Sequence, residues 1–297
     1  LPTTGSTSGM DLLLKALVNP GDAVLVENPT FLGNMQTINL YQARLVPIES
    51  DDGGVRLDSL EAAVRRERPK LLYIIPSFQN PTGRTLAADR RRPIADMAAQ
   101  YGFVVAEDDP YRDLRYTGQH LPTIKSCDHT GHVAYMGSFS KIISPGLRVG
   151  YLVAQKDILR KCTIGKQGTD LHTPNLNQAI VDQFLRRGLL KPHVESILPA
   201  YRDKLNLMLR ELEAFPQGTR YAIPQGGLFL FVELPEGLNA TRLFDKAVER
   251  GVAYVPGTHF YPRGGHHNTL RLNFSNSTPE QIEKGMRILN RLFTENL

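Results

Sequence analysis

Cysteine is scarce. The 297-residue chain has two, Cys127 and Cys162, too few for a disulfide framework, which points to a reducing, cytoplasmic setting. No stretch approaches the roughly 18 consecutive apolar residues that a membrane-spanning helix needs. The opening residues carry no basic, apolar, then small-residue leader, so neither a membrane nor secretion is expected. Internal repeats and low-complexity tracts are absent. His259, His266 and His267 lack any Cys/His spacing suited to zinc, and the His pair follows Gly264-Gly265, a turn signal. Asp51-Asp52-Gly53-Gly54 lacks the remaining ligands of a calcium loop, so no metal is expected. No Gly-x-x-x-x-Gly-Lys-Ser/Thr loop supports nucleoside triphosphate hydrolysis. Charge excess is modest: net +5, with an isoelectric point near 9.2. The basic residues are dispersed, and the one tight run, Arg90-Arg91-Arg92, falls in a helical pattern. Anionic substrates explain that balance more simply than nucleic acid, which is not an expected partner.

What is present supports a large core. Hydrophobic residues make up 41% and charged residues 22%, within the range of folded globular chains. Short apolar runs alternate with helical patterns. Residues 22–26, 43–48, 70–76, 103–106, 133–136 and 149–153 read as strands, and residues 57–66 and 86–101 as helices. Strand, helix, strand order with short connections predicts an α/β fold: a three-layer αβα large domain with a mostly parallel mixed sheet. Beyond residue 177 long helices are expected at 179–187 and 197–215, interrupted near Pro192 and Pro199. Strands at 227–234, 252–255 and 269–274 and helices at 240–250 and 279–293 then predict a smaller C-terminal α+β domain. The expected division is 1–190 and 191–297, with a linking helix at about 195–215.

Ligands of open parallel sheets lie outside the carboxyl ends of the strands. Three strands in turn deliver chemistry to that edge. The first leads to Asn80-Pro81-Thr82-Gly83, the second to Glu107-Asp108-Asp109-Pro110-Tyr111, and the third to Ser138-Phe139-Ser140-Lys141. Each alone has an ordinary explanation: a turn, solvated acids, a surface lysine. Together they provide an amide, a carboxylate with a phenol, and hydroxyls with an amine. A lysine held in a crevice is suited to a Schiff base with an aldehyde such as pyridoxal phosphate. A carboxylate beside the ring nitrogen, suited to Asp108, keeps that ring electron-accepting. Asn80 and Tyr111 suit the phenolic oxygen. Phosphate needs helix-start amides, hydroxyls and an arginine. Thr4-Gly5-Ser6-Thr7-Ser8-Gly9 precedes a helical pattern, and Ser138, Ser140 and Arg148 supply the rest.

Six motifs in order carry a family resemblance: Gly5-Ser6-Thr7-Ser8-Gly9, Asn80-Pro81-Thr82-Gly83, Asp108-Asp109-Pro110-Tyr111, Ser138-Phe139-Ser140-Lys141, Pro145-Gly146-Leu147-Arg148-Val149-Gly150 and Leu270-Arg271-Leu272-Asn273-Phe274-Ser275. Over essentially its whole length the chain resembles the fold type I, class I/II pyridoxal-phosphate-dependent aminotransferases, closest to the 2-aminoadipate and kynurenine group. The resemblance implies that Lys141 bonds the cofactor and moves the substrate α-proton. It implies that Asp108 pairs with the pyridinium, with the Asp-x-x-Tyr spacing selecting it over Glu107 and Asp109. Asn80 and Tyr111 would bind the phenolic oxygen, and Ser6, Thr7, Ser138, Ser140 and Arg148 the phosphate. Phe31 stands where the family places a ring-stacking aromatic, an ordinary core phenylalanine being the alternative. Arg271, with Asn80 beside the substrate, would clamp the α-carboxylate.

The implied activity is ping-pong transfer of an amino group from an α-amino acid to a 2-oxo acid, 2-oxoglutarate being the expected acceptor, in a cytoplasmic homodimer. Two other functions compete: the effector domain of a transcription regulator with this fold, and a pyridoxal phosphate reaction other than transamination. Asn80, intact in its loop, weighs against the regulator. The phosphate loop begins at residue 5, whereas relatives carry a substantial segment before it. The chain is therefore expected to lack an N-terminal part that contributes a substrate lid and dimer contacts.

Overall fold

The computed structural model describes residues 1–297. The first half runs β1 (Pro2–Thr3), α1 (Ser6–Leu17), β2 (Ala23–Glu27), α2 (Leu32–Leu40), β3 (Arg44–Ile48), the hairpin β4 (Ser50–Asp51) and β5 (Gly54–Val55), α3 (Leu57–Glu67), β6 (Leu71–Ile74), α4 (Ala88–Tyr101), β7 (Val104–Asp108), β8 (Val133–Ser138) and β9 (Gly150–Val153). Helices α5 (Lys156–Thr169), α6 (Asn175–Arg186) and α7 (Leu190–Leu212) follow. The chain ends with β10 (Arg220–Tyr221), β11 (Phe229–Glu233), α8 (Ala240–Glu249), β12 (Val255–Pro256), β13 (Thr269–Asn273) and α9 (Pro279–Thr294).

The large sheet has seven strands in the order β1-β9-β8-β7-β6-β2-β3. Pairing is parallel from β3 through β8, and antiparallel where β9 meets β8 and β1 meets β9. Strands β2, β6 and β8, and β7 up to Ala106, are nearly all apolar because both faces are covered. On one face Tyr73, Ala106, Ala134 and Met136 pack with Met10, Leu13 and Leu14 of α1 and Cys162 of α5. On the other, Leu72, Ile74, Val105 and Val133 pack with Leu60 and Val64 of α3 and Ile94 and Ala98 of α4. A second sheet, β10-β11-β13-β12, buries Leu230, Val232, Leu270 and Leu272 against α7, α8 and α9. Helix α9 opens with a capping box between Thr278 and Gln281, with Pro279 in its first turn. No helix is long and apolar enough to cross a membrane.

Several boundaries differ from expectation. The expected break near Pro192 falls just before it, at 187–189 between α6 and α7, but the one near Pro199 does not occur, and α7 continues for 23 residues. Pro192 lies in the first turn, where its amide needs no partner. Pro199 costs about 3 kcal/mol, which burial of Leu205, Leu207, Met208 and Leu212 at ~1.5–3 kcal/mol each more than offsets. The strand expected at 252–255 shrinks to Val255–Pro256, because the Gly251 and Val252 amides close the end of α8 on Val248 and Ala247 instead of joining the sheet. Strand β7 is longer than expected. Its register pairs Glu107 with Tyr135 and Asp108 with Met136, so both acids sit in the strand rather than after it.

Candidate active site

The carboxyl ends of β6, β7 and β8 gather the expected residues. Successive side chains of β7 alternate faces, so Asp108 projects to the α1 side and Glu107 to the other. There Glu107 accepts the Ile124 and Lys125 amides, each at 2.8 Å, which commits it to that turn. Asp109 has both carboxylate oxygens buried and without a partner, with the Arg112 guanidinium 3.8 Å away. Burial pushes the carboxyl pKa of Glu107 up to about 7 and that of Asp109 to about 6.

Asp108 Oδ2 accepts the Tyr73 hydroxyl at 2.9 Å and the Asn34 amide at 3.3 Å. Its Oδ1 is buried with no partner. Burial raises its pKa to about 6, against the pull of Tyr73, Ser6 and Asn34 toward the ionised form. An unsatisfied buried carboxylate oxygen is unfavourable unless a ligand completes it. The ring N–H of a pyridinium is a donor that fits it.

The amine of Lys141 follows β8 in a tight turn whose Ile142 and Ile143 amides both return to the Phe139 carbonyl. Burial lowers the Lys141 pKa, and the Arg148 and Arg271 guanidiniums lower it further. Those two arginines mark the two sides of the site. Arg148 Nη1 donates to Ser140 Oγ at 3.2 Å, and Nη2 to the Thr4 carbonyl at 3.4 Å. Ser138 Oγ accepts the Ser140 amide at 3.2 Å. Helix α1 begins beside them at Ser6 and Thr7, with Gly5 as its N-cap and no side chain capping its first amides. Those amides are free for an anion. Gly5 has φ 84°, and a Cβ on it would lie 2.5 Å from Arg148 Nη2. Glycine is therefore what lets the guanidinium reach the helix start, and the cradle fits a phosphate.

On the other side, Arg271 lies on β13 and donates from Nη1 to Asn80 Oδ1 at 2.8 Å. Its guanidinium stacks over Phe229 at 4.3 Å and Phe260 at 5.0 Å, and its Nε is buried without a partner. Tyr111 is buried, edge-on to Phe229 at 5.8 Å. Burial first, then Asp108, raises its pKa, so it stays a protonated donor. Phe31 caps α2 three residues before Asn34, half-buried against the core on the Asp108 face.

The two sheets meet in a seam that brings Arg271 to Asn80. Arg115 Nη1 donates to Gln225 Oε1 at 2.7 Å and its guanidinium lies 4.8 Å from the Phe78 ring centre. The Tyr116 hydroxyl donates to the Gly227 carbonyl, and the Gly227 amide to the Leu114 carbonyl. Sequence reasoning did not single out Tyr73, Asn34, Phe78, Arg115 or Gln225. A lone hydroxyl in the apolar run Leu71–Ile74 was the one available signal, at Tyr73. Asn34 is 74 residues from its partner and carried none.

The chain matches the family "Aminotransferase class I and II" over residues 1–289. It is 42% identical to the 2-aminoadipate transaminase of Thermus thermophilus, over 98% of this chain and 74% of that protein. It is 38% identical to the aromatic-amino-acid aminotransferase 1 of Thermococcus litoralis, over 100% of this chain and 73% of that one. Its fold superposes on the kynurenine aminotransferase of Pyrococcus horikoshii, solved in complex with PMP, with a TM-score of 0.97 at 38% identity, over 100% of this chain and 75% of that one. These relatives do not favour the transcription-regulator alternative. The chain thus belongs to the class I and II aminotransferases, fold type I pyridoxal-phosphate-dependent enzymes that transfer an amino group between an α-amino acid and a 2-oxo acid.

Proposed function

We propose that each residue gathered at this edge holds the role its geometry suits, with the unpartnered Asp108 Oδ1 as the observation that carries the assignment. When bound, pyridoxal phosphate supplies an electron-accepting ring that acidifies the substrate Cα–H bond. Lys141 would bond the cofactor and accept the substrate α-proton at Nζ; its lowered pKa favours the neutral amine that this needs. Asp108 holds the ring N–H in a buried ion pair. Asn80 spends its carbonyl oxygen on Arg271, which leaves its N–H groups to join the Tyr111 hydroxyl at the phenolic oxygen. Ser6, Thr7, Ser138, Ser140 and Arg148 hold the phosphate. Phe31 covers one ring face.

Arg271 binds the substrate α-carboxylate. A guanidinium already stacked between Phe229 and Phe260 loses little freedom on forming that fork. The donor is an α-amino acid of the 2-aminoadipate, glutamate, leucine-like or aromatic kind, and 2-oxoglutarate is the acceptor. The working form is a cytoplasmic homodimer, for which exposed Leu176, Ile180 and Leu185 on α6 offer apolar surface. We place the domain division at 190/191. That division falls within α7, whose Val194, Ile197 and Leu198 pack on the large-domain cluster and whose Leu205, Leu207, Met208 and Leu212 belong to the C-terminal one.

The test is a single-turnover panel. Each amino acid is mixed with cofactor-loaded protein without acceptor, and the 2-oxo acid is counted. One equivalent per cofactor from a true donor, and regeneration by 2-oxoglutarate, are expected. Release of ammonia alongside more than one equivalent of 2-oxo acid per cofactor, or of carbon dioxide with an amine, would instead support the other pyridoxal phosphate reactions.

A further inference from the structure

Asp108 does not stand alone. Two fully buried side chains from other elements converge on one of its oxygens: Tyr73 from β6 and Asn34 from α2. Neither side chain has another structural use for its polar group. The Tyr73 ring lies in an apolar cluster with Val24, Leu71 and Ala106, where phenylalanine would fill nearly the same volume without a hydroxyl to satisfy. Asn34 keeps its own Oδ1 buried and unpartnered, so its amide is retained for the N–H that faces Asp108.

We propose that Tyr73, assisted by Asn34, is a positioning residue that occupies Asp108 Oδ2 and so leaves Oδ1 as the single acceptor presented to the cofactor's ring nitrogen. This rests on the reading of Asp108 given above. The arrangement acts on charge as well as direction. Burial and the neighbouring Asp109 favour neutral Asp108, and among the groups opposing them Tyr73 contributes most, followed by Ser6 and Asn34. Burial and Asp108 itself raise the Tyr73 pKa, so its hydroxyl remains a donor throughout the working range. Without that hydroxyl, the proton shared between Asp108 and the ring nitrogen moves toward Asp108.

The experiment compares binding of pyridoxal phosphate with its 1-deaza analogue, in which a ring C–H replaces the nitrogen. Wild type should prefer the nitrogen-bearing cofactor, and Asp108→Ala should abolish the preference. Tyr73→Phe should reduce it by ~10-fold, the worth of one hydrogen bond to a charged group, while leaving affinity for the analogue unchanged. In the Asp108→Ala background, Tyr73→Phe should have no further effect. With a 15N-labelled ring, Tyr73→Phe should also move the nitrogen resonance toward its unprotonated position.

Equal weakening of both cofactors, or an unchanged preference, would overturn the role of Tyr73 while leaving Asp108 in place. An unchanged preference in Asp108→Ala would instead remove the reading of Asp108 itself. Where Asp108→Ala yields no folded protein, Asp108→Asn carries the same comparison.

Discussion

Replacing Gly5 with alanine tests the phosphate cradle at its tightest point. Gly5 has φ 84° and ψ 170°, a region that costs any other residue on the order of 1–3 kcal/mol. For a chain of this size that strain should lower the thermal midpoint by roughly 2–5 °C. The new Cβ would also lie 2.5 Å from Arg148 Nη2. The guanidinium is the free end of a long side chain, so it gives way rather than the backbone. In moving it leaves the Thr4 carbonyl and Ser140 Oγ and no longer faces the start of α1. Loss of one charge-assisted contact to a phosphate is worth ~1.5–3 kcal/mol, or about 10–100-fold in affinity.

The assay is titration of the cofactor-free protein with pyridoxal phosphate and, separately, with pyridoxal, which has no phosphate. Gly5→Ala should weaken the first and spare the second. In an Arg148→Ala background it should weaken pyridoxal phosphate little further, since the two changes act on one contact. Wild-type affinity for pyridoxal phosphate in Gly5→Ala would refute the cradle. Equal weakening of both ligands would mean that the strain acts on the whole site.

Lys141→Ala is expected to abolish transamination together with the cofactor's protein-bound absorbance band near neutral pH; full retained activity would remove the lysine from the chemistry. Arg271→Ala should raise the Michaelis constant for the amino acid at least ~10-fold, because the fork and its stacking are lost together, and an unchanged constant would exclude the carboxylate role. Glu27 offers a test of pH dependence. Its carboxyl is fully buried and its pKa is pushed up to about 8 by burial, while its Oε2 accepts the Ile75 amide at 2.9 Å. Above the ordinary carboxylate pKa the unfolded chain loses this proton while the folded chain keeps it, so stability falls as pH rises from about 4.5 to about 8. Glu27→Gln should flatten that decline in the cofactor-free protein, and a thermal-midpoint profile identical to wild type would refute the assignment.

The separation between what was legible in the chain and what was not follows physical range. Apolar runs read as strands because burial on both faces demands them, and the residues just beyond them read as ligands because strand ends form the edge of the sheet. Asn80, Asp108 and Lys141 were legible in that way. Glu107 and Asp109 were set aside only through the family resemblance; nothing local in the chain shows where they point. The alternation of β7, which sends Glu107 to the Ile124–Lys125 amides, separates Glu107 from Asp108. Pro199 read as a break because a propensity is local, whereas the burial that carries α7 through it is not.

The sequence by itself determined the order of motifs, the α/β class and the chemistry of the groups at the sheet's edge, since residue type and short-range periodicity carry all three. Tertiary structure decided which groups meet. Arg271 reaches Asn80 across 191 residues, Arg148 reaches Thr4 across 144, and Tyr73 reaches Asp108 across 35. A hydrogen bond depends on separation in space, and only packing of the two sheets and their helices brings those atoms within 3.5 Å.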